Sequence, residues 1–105
     1  MTSRWFKWGK VSFLIGAIDP DVVLSLDRER KKGRLTDEQM RKEIFSSVLL
    51  EWDGPGDRET FWNDLNFRDF VLQEATYLLE KEVEEWKRVH DLIERRLLET
   101  GRLKF

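Results

Sequence analysis

The chain has no cysteine and a single histidine. Without cysteine there is no disulfide framework, no thiolate zinc site and no cysteine nucleophile. A Gly-rich phosphate loop, a Ser/His/Asp set and a zinc-ligand cluster are missing as well. The sequence therefore predicts no catalytic residue, no metal site and no cofactor, and an enzyme is not expected. Long apolar runs are also lacking. The longest, Val11 to Ile18, is broken by Ser12 and Gly16 and falls well short of the about 20 residues a membrane span needs. Although Arg4, Lys7 and Lys10 precede it, Ile18-Asp19-Pro20 offers no small-residue cleavage site, so a signal peptide is not expected and the cytoplasm is the expected location. Asparagine, glutamine and methionine are scarce, a bias that resembles thermophile composition.

Charge is abundant instead. It makes up 38% of the residues against about 25% in an average globular protein. Yet Lys+Arg 19 and Asp+Glu 21 almost cancel, which excludes a global polyanion-binding field while leaving local patches open. At 105 residues, without internal repeats, the chain is one domain with enough apolar material for one core.

The strongest periodicity lies between Asn66 and Thr100. Leu72, Ala75, Leu79, Val83, Trp86, His90, Ile93 and Leu97 recur at helical spacing, flanked by Val71, Leu78 and Val89. Neither Gly nor Pro interrupts the stretch, and Gly101 can take the left-handed position that ends helices. A helix over it would be roughly 50 Å long. Its first half also carries Phe70 and Tyr77 on the opposite face and reads as the core of the fold. From Glu80 onward one apolar stripe remains among charges, predicting a helix that outruns its own domain and is covered by another chain.

Residues 3 to 18 fit two patterns. Trp8, Val11, Leu14, Ile15 and Ile18 share a helical face, while Val11, Phe13, Ile15 and Ala17 alternate as in a strand. The helix is the preferred reading, with Gly9 and Gly16 each costing it up to about 1 kcal/mol. Asp19-Pro20-Asp21 starts a helix carrying Val22, Val23 and Leu26 as a short buried face, and Gly33 ends it. Thr36 with Gln39 forms a capping box inside a Leu35/Met40 staple. The helix that follows is read through Met40, Ile44, Phe45, Val48, Leu49 and Trp52 to Asp53-Gly54-Pro55-Gly56. Asp57 caps a segment with Phe61, Trp62 and Leu65, either continuous with the long helix or bending near Asn66. The expected fold is all-α: a bundle of three shorter helices on one long C-terminal helix. Its parts are an aromatic and basic segment (1–18), a helical hairpin (19–56) and the long helix (57–105). The run from Gly33 to Gln39 resembles the Gly-x-Leu-Thr-x-Glu turn of the SHOCT helical hairpin, a likeness of capping chemistry that implies no function here.

Three surfaces invite a partner. Trp5, Phe6 and Trp8 among Arg4, Lys7 and Lys10 suit docking or a tether at a membrane interface, and would otherwise fold back over the core. Val83, Trp86, Val89, Ile93 and Leu97 form the distal stripe, which suits a protein partner or a homodimer. Arg28, Arg30, Lys31, Lys32 and Arg34 put five cations in seven residues, able to touch phosphates or to serve as a solvated helix end. Two further patterns are weaker. His90 with Glu94 has metal-ligand spacing, but Lys87 stands where a di-iron helix needs Glu, so a hydrogen-bonded core or interface histidine is the preferred reading. Pro20-Asp21 with Glu29-Arg30-Lys31 has the letters of a restriction-type nuclease at too tight a spacing, on a segment that reads as helix. The leading expectation is a non-enzymatic protein interaction, assembly or regulatory module. A small nucleic-acid-associated regulator using 28–34 comes second, and a peripheral membrane or complex subunit tethered by its N-terminus third.

Overall fold

A computed structural model describes residues 2–99, with side chains through 96. Strand β1 (Ser3–Trp8) and strand β2 (Val11–Gly16) lead into helix α1 (Pro20–Lys31) and helix α2 (Asp37–Val48). Strand β3 (Leu49–Asp53), helix α3 (Arg58–Asn63) and helix α4 (Leu65–Glu99) complete the chain. The strands form one antiparallel sheet in the order β1-β2-β3. The fold is therefore α+β, which overturns the all-α expectation.

The correction at the N-terminus has a local cause. Trp8 pairs with Val11 across a two-residue loop whose first residue, Gly9, has a φ of 62°. Glycine in that place matches the tight hairpin turn whose twist suits antiparallel strands. What looks like a cost to a helix is thus a hairpin signal. Burial then alternates along β2, with Phe13, Ile15 and Ala17 buried.

The second correction is at the end of α2. The apolar face continues through Leu49 and Trp52, yet the chain turns into β3 directly after Val48. Arg58 makes this switch tolerable. Its guanidinium donates to the carbonyls of Ser46 and Leu49, acceptors that the interrupted helix leaves open, and it lies 5.3 Å from the centre of the Trp52 ring. Leu50 is an extra residue in the β2/β3 register, a bulge that places its side chain against Gly16 on the outer face of the sheet.

Helix ends follow the capping chemistry. Asp19 caps α1, and Gly33, at a φ of 78°, closes it with its N–H on Arg30 and the Arg34 N–H on Glu29, the paired bonds of a Schellman ending. Val22, Val23 and Leu26 are only half-buried, so α1 lies at the rim of the core and is not part of it. Thr36 and Gln39 form the reciprocal capping box of α2. Asp57 caps α3, and the N–H and then the hydroxyl of Thr60 hold its carboxyl below its ordinary pKa. The break between α3 and α4 falls at Asp64, where the chain is extended and the carboxylate accepts from the Phe67 N–H at 3.2 Å.

The core is largely aromatic and centres on Phe67. Its ring lies 4.4 Å from that of Phe13, with Trp8, Phe45, Phe61 and Phe70 around it at 5.7 to 6.4 Å. Val48, Leu49, Trp62, Val71 and Ala75 complete the cluster. On α4 the buried line is Phe67, Val71, Ala75 and Leu78, displaced toward the flank of the expected stripe, and Tyr77 is exposed beneath Lys81.

Two substitutions check this account by chemical unfolding. Phe67→Ala is expected to cost about 3 to 5 kcal/mol, a large share of the about 5 to 15 kcal/mol that holds such domains folded. Thr36→Ala is expected to cost about 1 kcal/mol through the lost cap. An unchanged midpoint for the first would place the core elsewhere.

Candidate functional site

Helix α4 passes across the sheet and then leaves it. Its last anchors are the Ala75 carbonyl, which accepts from the Ile18 N–H at 3.2 Å, and the Glu82 carboxylate, which accepts from the Thr2 N–H. The contacts with Thr2 hold the Glu82 carboxyl below its ordinary pKa. Beyond this point every described side chain, from Val83 through Arg96, is exposed. The Cα radius of gyration, 18.3 Å against the about 13 Å of a compact domain this size, records the projection.

The projecting segment remains apolar on one side. Trp86 is 74% exposed, Leu92 58% and Ile93 54%, and Val83 and Val89 stand beside them. Val89 and Leu92 prolong the line that α4 buries against the core, and Val83, Trp86 and Ile93 prolong its half-buried flank, Leu72 and Leu79. Starting from Phe67, the buried line Val71, Ala75 and Leu78 continues by steps of three and four through Glu82, Glu85, Val89, Leu92 and Arg96. Shallow hollows flank the ridge, one lined by Val83, Trp86, Lys87 and His90, another by Val89, Leu92, Ile93 and Arg96. Leu92 is the residue that sequence reasoning passed over. Its signal was the seven-residue step from Leu78 through Glu85, hidden because the intervening position is charged. Leu97 belongs to the expected stripe but lies outside the described side chains, and Gly101 lies outside the described residues.

His90 is exposed, not in the core, with Nδ1 3.6 Å from Glu94 Oε1. Together with Asp91 these groups lie within 4.8 Å of one another, all facing solvent on one helix. Such a set is a common product of a charged helix surface.

The N-terminal aromatics divide between the two faces of β1. Phe6 meets Phe70 edge-on at 5.6 Å, and Trp8 lies over Phe67 and Phe70, so both fold back over the core. Trp5 points the other way, pairs with Leu14 and is 51% exposed. Together with Leu50 it leaves a small apolar area on the outer sheet face. No helix among the described residues is long and apolar enough to cross a membrane.

The basic stretch between α1 and α2 is largely engaged with acids. Arg30 pairs with Asp27 at 2.6 Å and Asp37 at 3.2 Å, Lys31 with Asp27 at 3.2 Å and Arg34 with Glu29 at 3.2 Å. Arg28 and Lys32 are exposed beside them. Hydrogen bonds from Arg30 and then Lys31 hold the Asp27 carboxyl below its ordinary pKa. Since the folded value is the lower one, this contribution to stability is present above the unfolded pKa and is lost as pH falls through the folded one. The nuclease-like letters sit on this same helix, with Glu29 committed to Arg34.

No family model, curated protein or solved structure matches the chain.

With three of its five cations facing carboxylates, the 28–34 stretch is expected to bind nucleic acid weakly and without sequence preference. A fluorescence-anisotropy titration with duplex DNA at about 0.15 M salt should give a dissociation constant no tighter than about 10⁻⁵ M. Tighter binding that vanishes when Arg30, Lys31 and Arg34 are all replaced by Ala would reverse this assignment.

Proposed function

We propose that the chain is a non-enzymatic protein interaction module, with a small α+β base that holds out the distal half of α4 as a docking helix. One observation carries this reading: the line that α4 buries in its own core continues as Val89 and Leu92, and its half-buried flank of Leu72 and Leu79 continues as Val83, Trp86 and Ile93, all in open solvent. These side chains expose on the order of 500 Å² per chain, at the upper end of the largest apolar patch on a typical monomer. An amphipathic helix with anchors three and four residues apart meets a partner through a groove or a second helix. Trp86 is the expected hot spot, as the largest and most exposed of the five.

The nucleic-acid reading has less support, because Asp27, Glu29 and Asp37 already face the basic patch. A tether through the N-terminus is also weaker, because Phe6 and Trp8 are engaged by rings of α4, and Trp5 alone of the three stands on the opposite face of β1.

The test is the apparent mass of the protein in extract from its native cells. Wild type is expected to migrate in a complex well above its own 12.7 kDa. Joint replacement Trp86→Ser and Ile93→Ser should return it to monomer size with an unchanged unfolding midpoint, since both side chains lie outside the core. Wild type running as a free monomer in extract would refute the docking role.

A further inference from the structure

The charges around the projecting half of α4 are sorted by side. Lys81, Arg88 and Arg95 follow one another at seven-residue steps, which keeps them in one row along the flank of Glu85 and Leu92, about 10 Å apart. Glu80, Glu84, Asp91 and Glu94 lie on the side turned away from the apolar face, together with Lys87. The other flank of the face is Val83, Trp86, His90 and Ile93, without a row of charge. The apolar face thus has a single, cationic edge. Two members of that row are unengaged: among the described residues neither Arg88 nor Arg95 has an ion pair or a side-chain hydrogen bond, although Glu84 and Asp91 stand one turn before them. Lys81 lies 5.3 Å from the centre of the Tyr77 ring and, with Arg88, brackets Glu85. Glu82, the other carboxylate on the face, accepts from the Thr2 N–H.

We propose that the occupant of this face is an acidic amphipathic helix of a different protein. Its apolar side covers Trp86, Val89, Leu92 and Ile93, and its carboxylates meet Arg88 and Arg95. This rests on the docking reading above and names the partner's chemistry. Charges that flank an apolar helical seam are the ones that select partner and orientation. Guanidinium groups suit that role, because their planar fork takes a carboxylate through two parallel hydrogen bonds.

Two other occupants fit this edge less well. In an antiparallel pair of copies, the two-fold axis across the helices keeps both cationic rows on the same side, where like charges oppose each other. In a parallel pair, the row of each copy runs along Trp86 and Ile93 of the other, where no carboxylate answers it. An anionic lipid surface attracts helices with a cationic excess, whereas over residues 80–96 six carboxylates outnumber five cations and two of the six, Glu82 and Glu85, lie on the face itself.

The probes are two labelled synthetic helical peptides, each about three heptads long with the same leucine seam, one carrying Glu and the other Lys at every position beside the seam. Each is titrated with the purified full chain by fluorescence anisotropy at about 0.15 M salt. The acidic peptide is expected to bind at least about tenfold more tightly than the basic one. Joint replacement Arg88→Glu and Arg95→Glu should abolish or reverse that preference. Arg88→Gln with Arg95→Gln, which adds no repulsion within α4, should abolish it too, with circular dichroism checking that helix content is kept.

Equal affinities, tighter binding of the basic peptide, or no binding of either up to about 500 µM would overturn the proposal. A preference that survives both pairs of substitutions also overturns it, since the acidic contact then lies elsewhere. The same holds if the purified chain alone rises from 12.7 kDa to twice that mass in sedimentation equilibrium, which would seat a second copy on the face. Flotation with phosphatidylserine vesicles that is lost on Trp86→Ser would assign the face to a lipid surface instead. The complex in native extract reads the docking role separately. If it is lost with Trp86→Ser and Ile93→Ser while the acidic peptide is not preferred, the docking role stands and the acidic partner falls. If wild type is a free monomer in extract, both fall.

Discussion

The ring of Phe67 is the constraint on which the rest of the molecule depends. It enters from the first turn of α4 and touches rings supplied by β1, β2, α2 and α3 as well as Phe70 of its own helix. A domain this small has little apolar area to spare, so concentrating large rings at one junction lets a few residues tie every layer together. The edge-on and tilted geometries are those that the quadrupoles of aromatic rings favour. Because the contacts come from segments far apart in sequence, the sheet and the helices stabilise one another cooperatively.

Polar groups hold the joints around this centre. Arg58 accommodates the helix-to-strand change at Leu49, and Asp64 closes α3 while its side chain caps the start of α4. On the helical side, Arg68 stacks 4.3 Å over Trp62 and reaches Glu38 at 2.9 Å. Such exposed ion pairs add little individually, and their effect here is to orient segments whose attachment comes from burial. The Trp52 indole donates to the Gly56 carbonyl at 3.1 Å, fixing the loop that turns β3 back toward α3. Gly56 has no room for a side chain, since a Cβ would come within 2.6 Å of the Phe61 ring.

The same helix therefore has two environments on one face. As far as Leu78 the sheet and the shorter helices cover it, and past Glu82 the described chain supplies no further cover. Helix formation by itself does not distinguish the halves, because both lack breakers and both carry apolar residues at the same spacing. The difference lies in how far a three-stranded sheet of five- and six-residue strands can reach along an axis roughly 50 Å long. The described apolar side chains beyond that reach stand in solvent.

The chain's local chemistry determined what can be settled within a few residues. The capping box at Thr36, the Asp19-Pro20 start, the Gly33 stop and the unbroken helix after Asn66 all depend on hydrogen bonds or periodicities internal to one segment. The partition of α4 into a core half and an exposed half was legible too, from the change in charge density at Glu80. Tertiary structure decided the rest. Residues 3 to 18 satisfy helical and strand spacings alike, and the choice fell to Phe13 and Ile15, which reach the core only by alternating in a sheet. Leu49 to Trp52 continue the apolar period of α2, yet become a strand because β2 presents an open edge and Arg58 takes up the freed carbonyls. Apolar patterning states that a side chain must be buried and leaves open by what. That depends on which distant segments arrive beside it, as Phe67 gathers Trp8, Phe13, Phe45 and Phe61 from four separate stretches of chain.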